Sequence, residues 1–269
     1  MANSPRSRTS SIGSISSGPT REDDLVTRTL DFIREQLPAW RDDPRRPKKV
    51  AEKGLNSSLC DFLDVQSRTH LPMARFKHEA PQTAPRTVDI GVHGTAEATT
   101  IGARTYNIYE PFLVIEAKRL PAPGSKSRER EYVTGFDPSN GSPTGGIQRF
   151  KLGLHGRQIE TAAMVGYIER NSPTHWHQTI NGWITDLVGN TSQDHCHWSK
   201  SDVAHNLVMD QVAGTASTHS THDRSGQCVT PAIRIEHLWI DMNSIAAESS
   251  LALHRATDDK SASSFGGCS

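Results

Sequence analysis

The chain lacks any apolar run of the roughly 20 residues that a helical bilayer crossing requires, which excludes a membrane-spanning helix bundle. It also lacks net charge, with 30 Lys+Arg against 30 Asp+Glu, so the total gives no sign of a polyanionic partner. Four cysteines, Cys60, Cys196, Cys228 and Cys268, are scattered through 269 residues without a Cys-x-x-Cys pair. That excludes a disulfide scaffold, and reduced thiols in the cytoplasm are the expectation. The opening residues have no apolar segment of the secretory type, so no export signal is expected. Hydrophobic residues make up only 34%, below the roughly 45–50% of ordinary domains on a count that includes glycine, so part of the chain should lie outside any core.

What is present is unevenly spread. Residues 1–170 carry 25 basic and 20 acidic side chains, and residues 171–269 carry 5 and 10. Neutrality is therefore a sum of +5 and −5 and describes neither half. Residues 1–22 and 244–269 are rich in Ser and poor in bulky apolar residues, and both are expected to be disordered tails. The stretch 23–243 is expected to form one α/β domain, with a core at about 50–170 and an extension at 171–243.

Val26, Leu30, Ile33 and Leu37 recur at helical spacing until Pro38, which predicts a helix ending there. A second helix is predicted over 50–63, where Glu52 and Asn56 share the stripe of Leu55, Leu59 and Leu63. A charge on such a stripe must find a partner. Alternation predicts strands near 74–79 and 88–93, and a long strand over 106–120. Residues 121–144 read as an exposed loop, 147–154 as a helix and 161–169 as a buried strand. Ser172 and Pro173 open a helix with Trp176, Ile180, Trp183 and Leu187 on one face. Two last strands, at 206–212 and 233–242, flank a segment rich in Ser, Thr and His.

The sharpest cluster is Asp89 with Glu116-Ala117-Lys118. Glu116 and Lys118 lie two apart on a strand and so share a face. If the strand of Asp89 pairs with it, two carboxylates and an ammonium converge, and one carboxyl should be hard to ionise unless a cation is bound. Mg²⁺ suits such a site, since one or two carboxylates and several waters satisfy it; Mn²⁺ is the substitute. Lys118 would then orient the attacking water or steady charge on a phosphoryl group.

On these residues the chain resembles the PD-(D/E)XK nuclease superfamily. The likeness covers about 50–170: AEKGLNSSLCDFL, RTVDIGV, FLVIEAKRL and GGIQRFKLGLHG. It implies a restriction-endonuclease-like core, a mixed central sheet flanked by helices with an added C-terminal strand pair. It further implies that Asp89 and Glu116, with the Ala117 carbonyl, are metal ligands, that Lys118 is the catalytic lysine, and that Glu52 and Gln148 are the additional polar residues of the flanking helices. Val88 stands where the superfamily's motif often has proline. The activity implied is Mg²⁺-dependent hydrolysis of phosphodiester bonds in nucleic acid, DNA first. The alternative is an inactive nuclease-like module that binds nucleic acid or a protein. The acidic second half would suit a homodimer contact.

Each feature has a plainer reading. Glu116 and Lys118 would otherwise form a surface ion pair, and Glu79 is read as an exposed strand-end charge rather than a third acidic ligand. Lys126, Arg128, Arg130, Arg149 and Lys151 are read as phosphate contacts or as solvated charges, and Gln148 as a solubilising residue. The pairs His195/His197 and His219/His222 do not have zinc-site spacing. Residues 217–224 are read as a polar loop beside the cleft, and the tryptophans as core.

Overall fold

The structure is a computed structural model that describes residues 23–48, 51–82, 86–124, 128–189, 194–225 and 228–243. The two expected tails and Lys126 lie outside the described residues. The first apolar stripe forms helix α1 (Asp23–Asp42), which buries Leu30, Ile33 and Leu37. Pro38 does not end it, because the turn beyond carries Trp40 and Arg41 into the interior. Trp40 packs 5.5 Å from the Tyr167 ring, which offsets the hydrogen bond that proline removes. Helix α2 (Glu52–His70) buries Leu55, Asn56, Leu59 and Leu63 and runs about two turns past the predicted end.

Nine strands follow among the described residues: β1 (Ala74–Pro81), β2 (Thr87–Gly94), β3 (Ala98–Ile101), β4 (Arg104–Asn107), β5 (Pro111–Leu120), β6 (Thr161–Ile168), β7 (Val208–Asp210), β8 (Thr215–Asp223) and β9 (Ala232–Asp241). Seven build one mixed sheet in the order β1-β2-β5-β6-β9-β8-β7, and β3 and β4 pair separately. The strand expected over 106–120 is thus two, broken at 108–110. The β5–β6 and β6–β9 pairs are parallel and the rest antiparallel. A parallel pair needs a crossover. Helix α3 (Gly146–Lys151) lies in the first crossover and α4 (Pro173–Leu187) in the second, opened by Ser172 accepting from the His175 N–H as its spacing predicts. With helices on both sides, β5 and β6 are buried nearly end to end, which explains their continuous apolar runs.

Residues 215–223 are not a loop. They form β8, burying Thr218, Ser220 and His222 on alternate positions, because β9 supplies a full antiparallel partner. The loop after β5 is likewise not wholly exposed: Tyr132 and Val133 enter the core. Helix α3 is shorter than predicted and its seat is tight. A Cβ on Gly145, which precedes it, would lie 2.3 Å from Thr134 Cα and 2.6 Å from the Val133 carbonyl oxygen, so only glycine lets this turn approach the loop so closely. One apolar cluster runs from Leu25 to Ile240, joining the expected core and extension. Among the described residues no helix is long and apolar enough to cross a membrane.

Candidate active site

The site is made by a failure of strand pairing. The β2–β5 ladder runs from His93↔Pro111 to Ile90↔Ile115 and stops, while β5 stays paired with β6 as far as Leu120↔Ile168. The second half of β5 therefore offers backbone N–H groups that β2 no longer satisfies. Two acidic side chains take them. Asp89 Oδ2 accepts from the Ala117 N–H at 2.8 Å, and Glu52 Oε2 accepts from the Arg119 N–H at 3.1 Å. Glu52 is the first residue of α2, where the helix dipole favours a carboxylate. Its Oε1 holds the Lys118 Nζ at 3.2 Å. This is the partner that a charge on an apolar stripe required.

Glu116, on the α3 side of the sheet, is 1% exposed, and its Oε2 receives Arg149 Nη2 at 2.9 Å. His155 Nδ1 lies 2.6 Å from Glu116 Oε1, yet the contact is not aligned as a hydrogen bond, and both buried atoms are left without one. Gly153 and Gly156, at φ 65° and 59°, turn the chain on either side of His155 and fix it there.

The electrostatics follow from this geometry. Burial, and then the neighbouring Glu116, push the Asp89 carboxyl up to about 7. Burial also opposes the charge on Glu116, but Arg149, His155 and Lys118 outweigh it and hold that carboxyl well below its usual range. Burial disfavours the Lys118 ammonium, and Glu52, Glu116 and Asp89 together hold it above its usual range. Three carboxylates against Lys118 and Arg149 leave the ionised cluster one charge negative. The orphaned Glu116 oxygen and the reluctant Asp89 both call for more positive charge. A hard divalent cation fits, since it takes one or two carboxylates and fills its shell with water. Among the described residues no group of three or more His, Cys, Asp or Glu is arranged to hold a metal ion.

Of the residues singled out in sequence, Glu52, Asp89, Ala117, Glu116 and Lys118 meet here and Gln148 does not. Gln148 is fully buried; its Oε1 accepts from the N–H groups of Gly135 and Gly145, and its Nε2 donates to the Asp194 carbonyl. It ties the loop to α3, and neither the solvated nor the catalytic expectation holds for its position. Glu79 pairs with Lys53 at 2.7 Å on the surface. The expected phosphate contacts are engaged: Arg128 with Glu131, Arg130 with Asp186, and Lys151 with Asp202. Other cations lie close to the cluster. Two clefts of about 540 and 610 Å³ share Arg119 and Glu169 and are lined by Arg170 in one and by Arg46 and Lys48 in the other. A further cavity of about 830 Å³, beside α1 and the β3–β4 hairpin, contains none of the clustered carboxylates.

Sequence reading also missed a buried chain of polar groups. Asp202 Oδ1 receives Lys151 Nζ and His222 Nδ1, both at 2.8 Å. His222 Nε2 meets Ser220 Oγ at 2.7 Å, which meets His237 Nε2 at 2.8 Å; His237 Nδ1 meets Tyr132 Oη at 2.8 Å, and Trp239 Nε1–H donates to that hydroxyl at 2.9 Å. Burial pushes His237 down to about 3 and lowers His222 despite Asp202, so both rings are neutral. Protons are then assigned throughout: each group donates toward Asp202. Ser220, His222 and Asp202 have the order of a hydrolase triad, but Ser220 and His222 are 0% exposed and no substrate reaches them. The period-two spacing of Ser220 and His222 in the strand was the available signal.

No family model matches the chain, and comparison with curated proteins and with solved structures finds no match.

Proposed function

We propose that this chain is a Mg²⁺-dependent nuclease of the PD-(D/E)XK type that hydrolyses phosphodiester bonds in nucleic acid, DNA first. The observation that carries the reading is the notch where β2 leaves β5. There Asp89, Glu116 and Glu52 converge with Lys118 and Arg149, leaving one negative charge in excess. The order α2, β1, β2, β5, α3, β6, with β2 and β5 antiparallel and β5 and β6 parallel, supports a restriction-endonuclease-like core. Arg46 and Lys48, in the cleft also lined by the Arg119–Glu169 ion pair, support a polyanionic substrate.

Asp89, Glu116 and the Ala117 carbonyl would hold the ion. When bound, Mg²⁺ supplies a Lewis acid for the phosphoryl oxygen and a water of lowered pKa. Lys118, held by Glu52, presents its ammonium to the water or to charge developing on the phosphoryl oxygens. Glu52 keeps that ammonium charged and pins β5 through the Arg119 N–H.

The test is cleavage of a panel of circular, linear, single-stranded and RNA substrates in Mg²⁺ and Mn²⁺. Asp89→Ala and Lys118→Ala should each lower cleavage by about a thousandfold or more while circular dichroism stays unchanged. Cleavage by Asp89→Ala at the wild-type rate would sink the assignment. One observation favours the alternative of a non-catalytic binding module: Arg149 already occupies Glu116. On that reading the wild type takes up no divalent ion in a calorimetric titration.

A further inference from the structure

We propose that Arg149 is the exchangeable cation of this site. It neutralises Glu116 while no divalent ion is present, and it releases that carboxylate to such an ion, leaving its guanidinium for the phosphate of the substrate. The inference rests on the nuclease reading above and assigns Arg149 a role that the motif does not.

Glu116 is 1% exposed and cannot stay ionised without a cation beside it. The Lys118 ammonium is bonded to Glu52, and the His155 ring, 2.6 Å from Oε1, is not aligned as a donor, so Arg149 is the cation hydrogen-bonded to Glu116. Arg149 itself is 19% exposed, so part of its side chain reaches solvent. Its other bond at the site, Nε–H to the Gly145 carbonyl, is long at 3.4 Å, so the side chain is lightly tethered. The backbone beneath is held by the Gly146 and Gln148 N–H groups donating to the Glu131 and Val133 carbonyls, both at 2.9 Å, so exchange requires a side-chain movement and no shift of α3. A guanidinium and a dication on one carboxylate would repel at close range, which makes the two occupants competitors.

Mg²⁺ and Mn²⁺ are titrated calorimetrically into metal-free wild type, Arg149→Gln and Arg149→Lys. The Gln variant is expected to bind about tenfold more tightly than wild type, with the Lys variant between. Binding by the Gln variant alone overturns the exchange, since Arg149 in the wild type then never yields Glu116 to the ion. Equal or weaker binding by the Gln variant, with binding by wild type, overturns the exchange and leaves the nuclease reading standing. Binding by none of the three overturns both. Should the Gln variant fail to fold, nitrogen NMR of the wild-type arginine side chains decides, the Arg149 signal being assigned by its loss in the Lys variant. That signal is expected to move at the Mg²⁺ concentration that saturates the site; an Arg149 signal unmoved through saturation overturns the exchange.

Discussion

The notch around Asp89 and the buried chain ending on Asp202 use the same materials, carboxylates, cations and histidines, yet they are completed to different degrees. In the buried chain every donor from Trp239 to Lys151 has its acceptor, and the last carboxylate holds both an ammonium and an imidazole. Burial resists the charge on Asp202, but the bonds from His222 and Lys151 pull its carboxyl down to about 2. In the notch one carboxyl is pushed up to about 7 and a buried oxygen of the other has no aligned donor. A network satisfied from within is structural, because nothing further can bind without breaking it. An unsatisfied one, open at its mouth, is where a ligand has something to offer.

The largest effect should come from breaking the completed network. Asp202→Asn keeps the acceptor for His222 but leaves the Lys151 ammonium, 2% exposed, without a counter-charge. Urea unfolding at pH 7 should show a loss of about 3–5 kcal/mol. Adding Lys151→Met should recover much of it, since the pair is costly to break rather than strongly stabilising. Neither change should alter divalent-ion affinity at the notch. A tenfold change would mean that the two regions are coupled.

The second effect has the opposite sign. The folded state holds the Asp89 proton up to about 7 against an ordinary 3.8, so it binds that proton more tightly than the unfolded chain does. Metal-free stability from this group is full below about pH 4 and is lost as pH rises toward 7. Asp89→Asn, whose side-chain oxygen still accepts the Ala117 N–H, should therefore stabilise the metal-free protein at pH 8 and do little at pH 4. The shift caps the gain at about 4 kcal/mol, and solvent at the open side of Asp89 trims it. The measurement is urea unfolding at the two pH values with chelator present. Destabilisation by Asp89→Asn at pH 8 would show that the notch is complete without a metal.

This contrast was half legible in the sequence. The notch could be read because its parts are local: Glu116 and Lys118 share a strand face by spacing alone, and Glu52 betrays itself as a charge on an apolar stripe. The main elements were readable for the same reason. Of the buried chain only the period-two spacing of Ser220 and His222 was legible, because Lys151, Asp202 and Tyr132 become their neighbours only when the extension closes over α3. Polar residues in β8 suggested solvent, and pairing with β9 decided otherwise. Gln148 misled in the same way: a polar residue on a helix beside the site is equally at home as a buried brace. His155 has no signal beyond the two glycines around it.

The smallest effect tests where the notch ends. Glu79 stands in register opposite Asp89, between the pairs His78↔Ile90 and Ala80↔Val88, so a regular ladder would set two carboxylates side by side. The ladder skips this position. Glu79 adopts φ 50° and turns to the exposed Lys53, which lowers its carboxyl through a hydrogen bond. An exposed pair of this kind contributes little to stability. Glu79→Ala should leave Mg²⁺ and Mn²⁺ affinity within about twofold of wild type, and cleavage with it. If the titration instead showed a loss comparable to that of Asp89→Ala, Glu79 would have to swing back into register beside Asp89. The open side of the notch would then be completed by β1, and the excess negative charge that draws a cation would be larger by one.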